Sequence, residues 1–448
     1  MRSGYSVVSL VGLVAMLALA WALSEDRKCV PWRLIAWGLG LQLLVGLLLL
    51  PTPLQTYVFA PLFRGAVSAA TLGRAEVTAT PGELVFVAMR GAVGLITGAT
   101  KESASFVFGR LTDDPSLGAT MAFQVLPVII LVSALSGILF HLGVIQAVVR
   151  GMAWLMRRSL RTSGAETLGA ALLVFLGIES TTAIGSYVPT MTRSELCTVM
   201  SAFMATIAGS VMVAYSTMGA EPGHLLAASL MSAPAAIVVS KLMVPEKEKP
   251  RTSGEGPIAL DVQSRNLVDA AAQGTNEGLR MALSVGAMLI AFIGLVSLCN
   301  TALSAVSGPL LRAAYLPWAA SAGLPPIETV TLEGLFGILF APFAVLIGVP
   351  WSDVPTVAAL IGTKSVVNEF LAYAQLQEVG GQLTSRGHTL AMYALCGFAN
   401  PGSVGIVIAG LQGLAPERRT DIVELGLRSY VAGTLACFMT ACVAGVLL

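Results

Sequence analysis

Charged residues are scarce in this chain. Asp, Glu, Lys and Arg make up only 11% of the 448 residues, whereas 55% are hydrophobic. A soluble globular domain carries about 25% charged residues, because its surface must face water. A chain of this length with so little charge is expected to lie in lipid. The net charge of +1, with no basic patch interleaved with aromatic residues, argues against nucleic acid as a partner.

Sequence signatures of enzymes and metal sites are also missing. The six cysteines include no CxxC pair and no Cys/His cluster, which argues against a disulfide framework or a zinc site. We find no HExxH, no GxSxG and no paired-acid lipid-phosphate motif. A Walker A loop is absent as well, so ATP bound to this chain does not power its activity. We therefore predict a protein that is not an enzyme and has no cofactor.

Long apolar runs dominate the sequence. Those long enough to cross about 30 Å of hydrocarbon as helices are 5–23, 33–50, 121–144, 195–217, 223–243, 281–304, 389–412 and 424–447. Two further stretches, 164–192 and 329–378, are interrupted by Gly, Pro and polar residues, which is typical of re-entrant hairpins. Residues 98–113 are amphipathic and are predicted to lie along a membrane interface. The predicted fold is an all-α polytopic membrane protein with about eight transmembrane helices and two re-entrant helical hairpins.

A weak internal repeat relates the two interrupted stretches. Glu179 lies in the first and is followed in the next span by Gly209-Ser210, and Glu369 lies in the second and is followed by Gly402-Ser403. Inverted repeats that meet at the bilayer midplane produce such a pattern, and a chance match is the alternative. The predicted organisation is 1–160 (N-terminal spans and interfacial helices, mainly scaffold), 161–243 (first repeat with hairpin 1), 244–320 (cytoplasmic connection and scaffold span) and 321–448 (second repeat with hairpin 2 and the C-terminal spans).

Polar residues in the second interrupted stretch are candidates for a binding site. Asn368 and Glu369 stand between apolar flanks, and an ionised group in lipid costs several kcal/mol unless it is paired or faces a wet cavity. At a hairpin tip they can offer an amide and a carboxylate to a polar ligand. A solvated loop between two spans is the alternative, although the sequence returns at once to the apolar Phe370-Leu371.

Two other polar interruptions are also candidates. In Gly397–Ser403, Gly and Pro open the helix, Asn400 and Ser403 share one face, and Phe398 can stack against a planar ring. A purely structural proline kink is the alternative there. In the first hairpin, Glu179 is an intramembrane acid beside three hydroxyls, which indicates a substrate or proton site. Its alternative is a structural hydrogen bond to a neighbouring helix.

The segment Gly362-Thr363-Lys364-Ser365-Val366-Val367-Asn368-Glu369-Phe370-Leu371-Ala372 resembles the G-x-K-x3-N-E-F-V-A signature of concentrative nucleoside transporters. The resemblance extends over nearly the whole chain. It includes Ser24-Glu25-Asp26-Arg27-Lys28, Ala122-Phe123-Gln124-Val125-Leu126-Pro127, Met191-Thr192-Arg193-Ser194-Glu195-Leu196, Ala205-Thr206-Ile207-Ala208-Gly209-Ser210, Ala394-Leu395-Cys396-Gly397-Phe398-Ala399-Asn400 and Leu414-Ala415-Pro416-Glu417-Arg418-Arg419. It implies a homotrimer of eight-span protomers with two hairpins, each moving its transport domain in an elevator motion.

The same resemblance implies roles for individual residues. Glu369, Asn400 and Ser403 fall on positions that bind ribose, and Phe398 falls on a Phe that packs beside the ligand. The nucleobase end differs, because the first hairpin of the family reads G-Q-T-E-A-P. Alignment places Glu179 on its Glu, but Gly177 and Ile178 on its Gln and Thr. Two groups that read the base are thus replaced, which should change or relax base preference.

The coupling ion is also expected to differ. The sodium site of the family uses an Asn upstream of the hairpin Glu, and this position is Leu172 here. A hydrocarbon side chain cannot ligate a hard cation, which needs oxygen donors, and Ser210 is the one remaining ligand candidate if a sodium site persists. We therefore predict proton coupling, with Glu179 or Glu369 taking the proton, and sodium coupling as the alternative.

The combined prediction is a nucleoside symporter in the bacterial cytoplasmic (inner) membrane, driven by a proton gradient. A related ion-coupled carrier for another polar solute is one alternative, since the residues at the base end differ. A membrane sensor that binds nucleosides without transporting them is a second. A membrane-embedded enzyme is the least favoured, because no nucleophile with a base and no metal cluster is found in the sequence.

Overall fold

The computed structural model describes residues 2–51, 80–112, 121–177, 183–253, 260, 264–310 and 330–448. Sixteen α-helices and no strand lie within these ranges. They are α1 (Arg2–Ala22), α2 (Trp32–Leu49), α3 (Pro81–Phe108), α4 (Leu126–His141), α5 (Val144–Leu160), α6 (Gly164–Leu173), α7 (Arg193–Ala205), α8 (Gly209–Thr217), α9 (Pro222–Met243), α10 (Leu267–Leu310), α11 (Leu332–Ile347), α12 (Val354–Val366), α13 (Glu369–Val379), α14 (Ser385–Leu395), α15 (Pro401–Leu414) and α16 (Arg419–Leu447).

Eight helical segments in the described ranges, one of them α7 together with α8, are long and apolar enough to cross a membrane. They include α3, whose C-terminal part contains most of the segment predicted to lie along an interface, 98–113, so that this location stays a prediction. The helix begins at Pro81 behind an N-cap in which the Thr80 hydroxyl accepts a hydrogen bond from the Glu83 amide.

Two of the predicted spans are broken helices. The span predicted over 195–217 is α7 followed by α8, with an extended break at 206–208. The span predicted over 389–412 is α14 followed by α15, with its break at 396–400, where the sequence predicted an interruption. Each break directly precedes one of the two Gly-Ser steps of the internal repeat. The repeat therefore coincides with two similar features of the backbone.

The two breaks lie against each other and against α16. The thiol of Cys437 on α16 is 3.2 Å from the carbonyl oxygen of Cys396 and 3.7 Å from that of Ala205, one from each break. Gly397 has a φ of +151°, and a Cβ there would lie 2.8 Å from the Met204 carbonyl oxygen. Only glycine combines that backbone conformation with so close an approach. The two broken spans therefore form one packed unit.

The second interrupted stretch, predicted as one hairpin over 329–378, contains three helices. α11 is followed by the hairpin proper, made of α12 and α13 with its tip at Val367-Asn368. With 13 and 11 residues, α12 and α13 are about 20 Å and 16 Å long, too short to cross about 30 Å of hydrocarbon. The hairpin tip is therefore positioned inside the molecule, and Lys364, Asn368 and Glu369 are all buried.

A buried ionic cluster ties the base of the first hairpin to α9. The Lys241 ammonium is 2.8 Å from a Glu166 carboxylate oxygen and 3.0 Å from one of Glu246. Glu166 also accepts a 2.8 Å bond from the Ser163 amide, and the Ser163 hydroxyl donates to Glu195. Since Glu166 and Glu195 complete the capping boxes of α6 and α7, the cluster fixes where both helices begin.

The long helix α10 packs closely on α4. A Cβ at Gly278 would lie 2.8 Å from the Ile130 Cα, and a Cβ at Gly274 would clash with the Ser133 carbonyl oxygen. The two glycines are one turn apart, so this face of α10 is held against α4. In contrast to the largely buried α7, α8 and α9, most of α10 is exposed within the protomer. Its rotation about its own axis is therefore set by the contact with α4.

Candidate functional site

A cavity of about 420 Å³ lies between α10 and the packed unit formed by the two broken spans. Its volume is within the range of small-molecule sites, about 300–1,000 Å³. The lining residues from the hairpin tip and the breaks are Gly177, Phe203, Val211, Asn368, Glu369, Phe370, Phe398, Asn400, Ser403 and Ile406. Those from α10 are Glu277, Arg280, Met281, Ser284, Val285, Met288 and Leu289.

Glu369 is the buried acid of this cavity. One carboxylate oxygen accepts a 2.7 Å hydrogen bond from the Asn400 amide, and the other accepts a 3.0 Å bond from the Tyr215 hydroxyl. Glu369 is the first residue of α13, where the positive end of the helix dipole favours an anion. Tyr215 is held in turn by stacking on Tyr373, with ring centroids 4.3 Å apart. The carboxylate is thus fixed by groups from α8, α13 and the second break.

Asn400 and Asn368 each cap a helix that begins at the cavity. The Asn400 side-chain oxygen accepts a 2.9 Å bond from the Ser403 amide at the start of α15, and the Asn368 oxygen accepts a 2.8 Å bond from the Leu371 amide at the start of α13. Pro401 occupies the first position of α15, where no backbone donor is needed. The N-termini of two short helices therefore lie at the same end of the cavity, where partial positive charge favours electron-rich oxygens.

Lys364 supplies a buried positive charge near the same hairpin. It is fully buried, and its ammonium donates a 3.3 Å bond to the Ala394 carbonyl at the C-terminal end of α14. A cation there donates a hydrogen bond to a carbonyl that the break leaves without a helical partner, and it is attracted by the negative end of the helix dipole. This contact accounts for a lysine inside the apolar flanks of the motif.

The structure brings together most of the residues predicted from sequence. Asn368, Glu369, Phe398, Asn400 and Ser403 all line the cavity. The Phe398 ring lies 5.5 Å from the Phe203 ring, so the two form one aromatic wall. From the first hairpin, Gly177 reaches the lining. Ile178 and Glu179 lie outside the described residues, so their predicted roles stay predictions.

Sequence reasoning missed the contributions of α8 and α10. Tyr215 is an isolated tyrosine in an apolar helix, and nothing in its neighbourhood indicates a bond to Glu369. Glu277 and Arg280 precede the longest span and could pass for its solvated flank. Both are polar residues at helical spacing on the α10 face that carries Met281 and Ser284, which is the one signal that could have drawn attention to them.

Around Leu172, where the resemblance places a sodium ligand of the family, two backbone carbonyls accept hydrogen bonds from protein donors. Leu172 is fully buried in α6 and offers no oxygen in its side chain. The Leu173 carbonyl accepts a 3.2 Å bond from the Thr206 hydroxyl, and the Phe175 carbonyl accepts a 3.0 Å bond from the Gly209 amide. Two backbone oxygens beside the first break are therefore already engaged by protein donors.

Three sequence-family descriptions match this chain. Residues 11–75 match the Na+ dependent nucleoside transporter N-terminus, and 224–445 match the Na+ dependent nucleoside transporter C-terminus. Residues 122–222, which include the first hairpin and the first break, match a domain described as nucleoside recognition.

Individual relatives align over almost all of the chain. The uncharacterized transporter YutK of Bacillus subtilis is 37% identical over 448 residues, which is 97% of this chain and 98% of the relative. Solute carrier family 28 member 3 of Mus musculus is 38% identical over 459 residues, which is 99% of this chain and 59% of the relative. The chain thus spans about three fifths of the length of that mammalian relative.

The fold also matches a solved structure. CNTnw in an inward-facing substrate-bound state superposes with a TM-score of 0.82 and 32% identity, covering 100% of this chain and 98% of that one. The predicted fold class is confirmed, and so are the integral location in the bacterial cytoplasmic membrane and the absence of an enzymatic role, since these relatives are transporters. The chain belongs to the concentrative nucleoside transporter family.

Proposed function

We propose that this protein is a nucleoside symporter that binds its substrate in the cavity between α10 and the two helix breaks. The observation that carries the proposal is the buried Glu369 carboxylate, held by Asn400 and Tyr215 at the wall of a 420 Å³ cavity. A buried acid is costly in a membrane and is retained where it binds a solute or an ion.

The geometry suits a ribose at this end of the cavity. Ribose hydroxyls can donate to Glu369 and can exchange hydrogen bonds with Asn400 and the Ser403 hydroxyl, which lie on the same side of the break. Hydrogen bonds to a charged acceptor contribute about 1.5–3 kcal/mol each. The Phe398 ring offers an aromatic surface for the flat base beside it. Asn368, at the tip of the hairpin, adds a second amide near the sugar.

We propose a proton as the coupling ion, with Glu369 or Glu179 carrying it. Two features support a proton over a cation: the apolar Leu172, and the engagement of the Leu173 and Phe175 carbonyls by protein donors. Sodium coupling is the second candidate, because the matching family descriptions carry the words Na+ dependent. A sodium site would have to use Ser210 together with backbone oxygens released from their present bonds.

Uptake into proteoliposomes tests both parts of the proposal. Radiolabelled uridine or adenosine is expected to accumulate under an inward proton gradient with sodium absent. A sodium gradient at clamped pH should add nothing, and strong uptake there would reject proton coupling while leaving nucleoside transport intact.

Variants locate the activity in the cavity. Glu369→Gln is expected to abolish uptake, because it removes the carboxylate that accepts the ribose hydroxyls. Glu378→Gln, an exposed acid on the same helix α13, is the matched control and should transport normally. Wild-type uptake by Glu369→Gln would reject this site.

Three further parts of the proposal rest on the resemblance. The protein is proposed to assemble as a homotrimer, which mass measurement in native detergent or lipid nanodiscs tests directly. The four segments 1–160, 161–243, 244–320 and 321–448 are proposed as its scaffold and transport units. Binding of nucleosides without uptake would instead indicate a sensor, and uptake of a different polar solute would indicate a carrier with an altered substrate.

A further inference from the structure

Two charged residues of α10 line the cavity apart from the Glu369 group. Glu277 and Arg280 are part of the cavity wall, and Arg280 is followed on α10 by a run without any charged residue. Within the part of the chain that the structure describes, neither side chain makes a hydrogen bond or an ion pair. An acidic and a basic side chain, both exposed, thus border the cavity three residues apart on α10.

Helix geometry explains why these residues face the cavity. Glu277, Met281, Ser284 and Met288 recur at spacings of four, three and four residues, which places them on one face of α10. Arg280 is three residues after Glu277 and flanks the same face. The contact of the neighbouring face, through Gly274 and Gly278, with α4 fixes the rotation of the helix. Both side chains are exposed on α10, and the packing of the helix fixes the face from which they border the cavity.

Two contacts establish which end of the cavity the pair occupies. Met288 abuts Gly402 at the start of α15, next to Asn400, so this part of α10 lies at the Glu369 end. Met281 lies with its sulfur 3.8 Å from the Ser210 hydroxyl, beside the first break. From Met288 to Arg280 the helix rises about 12 Å, at 1.5 Å per residue. The charged pair therefore stands at the end of the cavity away from Glu369.

Among the described residues that line the cavity, Glu277 and Arg280 are the charged groups at that end. Among the described residues of the first hairpin, Gly177 reaches the lining and brings no side chain. A nucleobase edge carries both hydrogen-bond donors and acceptors, and each loses free energy in a cavity that leaves it unpaired. Arg280 offers donors only and Glu277 offers acceptors only. Together they complement such an edge.

We propose that Glu277 and Arg280 form the subsite that recognises the hydrogen-bonding edge of the nucleobase. This inference rests on the proposed function, since it assumes a nucleoside with its ribose at Glu369. Its consequence is that α10 contributes to base specificity, while the sugar is held by the second hairpin and the second break. Because the pair combines donors with acceptors, it accepts both purine and pyrimidine nucleosides that carry polar exocyclic groups.

Binding of two ribosides to the purified protein tests the subsite. Uridine has a polar base edge, whereas benzimidazole riboside keeps the ribose and an aromatic base but lacks that edge. Glu277→Gln and Arg280→Gln are each expected to weaken uridine binding about tenfold, the loss of about one hydrogen bond to a charged group. Binding of benzimidazole riboside should change by less than about twofold. Arg280→Lys, which keeps the charge but not the paired donors, should lie between wild type and Arg280→Gln for uridine.

The outcomes separate the two proposals. Asn276→Ala, an exposed neighbour on α10 outside the cavity lining, is the control and should bind both ribosides normally. If the wild-type protein binds neither riboside, the proposed function fails. If it binds both, and the Glu277 and Arg280 variants bind uridine normally or lose both ribosides equally, the base subsite is rejected and the proposed function stands.

Discussion

Asn400 performs two separable tasks, and substitutions at this position distinguish them. Its side-chain oxygen caps α15 through the Ser403 amide, and its side-chain nitrogen donates to Glu369. Asn400→Ser keeps an oxygen that can cap the helix but removes the donor to the carboxylate. Asn400→Ala removes both. Both variants therefore lose the hydrogen bond to Glu369, and they differ only in whether the N-cap of α15 is kept.

The magnitudes follow from the contacts. A hydrogen bond to a charged group contributes about 1.5–3 kcal/mol, so both variants should lose at least about tenfold in nucleoside affinity. Loss of an N-cap costs about 1 kcal/mol, so Asn400→Ala should be less stable than Asn400→Ser by about that amount. Asn400→Ser, in turn, should be less stable than wild type, because Glu369 stays buried and, among the described residues, keeps only Tyr215 as a side-chain donor.

Two measurements check this series. Thermal unfolding of the purified variants gives the order wild type, Asn400→Ser, Asn400→Ala, and titration with nucleoside gives the affinities. Equal stability of the two variants would refute the capping role. Wild-type affinity in Asn400→Ser would refute the reasoning that the Asn400 amide holds the carboxylate in its binding geometry.

Two other predictions concern stability. Gly397→Ala should lower the melting temperature strongly and reduce uptake, because a Cβ at φ +151° would collide with the neighbouring break; an unchanged melting curve would contradict the close packing of the two breaks. Lys241→Met should cost about 3–5 kcal/mol, because it leaves the buried Glu166 carboxylate without its cation, whereas Arg193→Gln, which breaks exposed ion pairs, should cost about 1 kcal/mol or less. Chemical unfolding of the two variants side by side measures the difference, and equal costs would show that the Lys241 cluster is effectively solvated.

Much of the fold could be predicted from sequence because hydropathy is a local property. The spans and the interrupted stretches were recognised from runs of apolar residues and from the Gly and Pro between them. The second break was predicted because Gly397 and Pro401 mark it. The first was missed because Thr206, Ile207 and Ala208 are neither Gly nor Pro, and their freed backbone groups are satisfied by partners such as the Ser229 hydroxyl that are distant in sequence.

The residues of the candidate site also fall into those that the sequence indicates and those that it does not. Glu369 and Asn400 belong to short motifs, so their polar character inside apolar sequence pointed to them directly. Whether Tyr215 and Arg280 reach the site depends on how their helices are rotated and on how deeply they lie in the protein. For α10 these are set by the packing of Gly278 against α4. Such a contact joins residues far apart in the chain, and a single sequence does not reveal it.

Both helix breaks contact Cys437, and this contact bears on whether the two halves of the chain can fold separately. One backbone carbonyl at each break lies within reach of the Cys437 thiol on α16. The first half produced alone would lose the partner of its Ala205 carbonyl, and a backbone group left unsatisfied in hydrocarbon costs several kcal/mol. The second half of the chain therefore supplies a contact that the first half needs at its helix break.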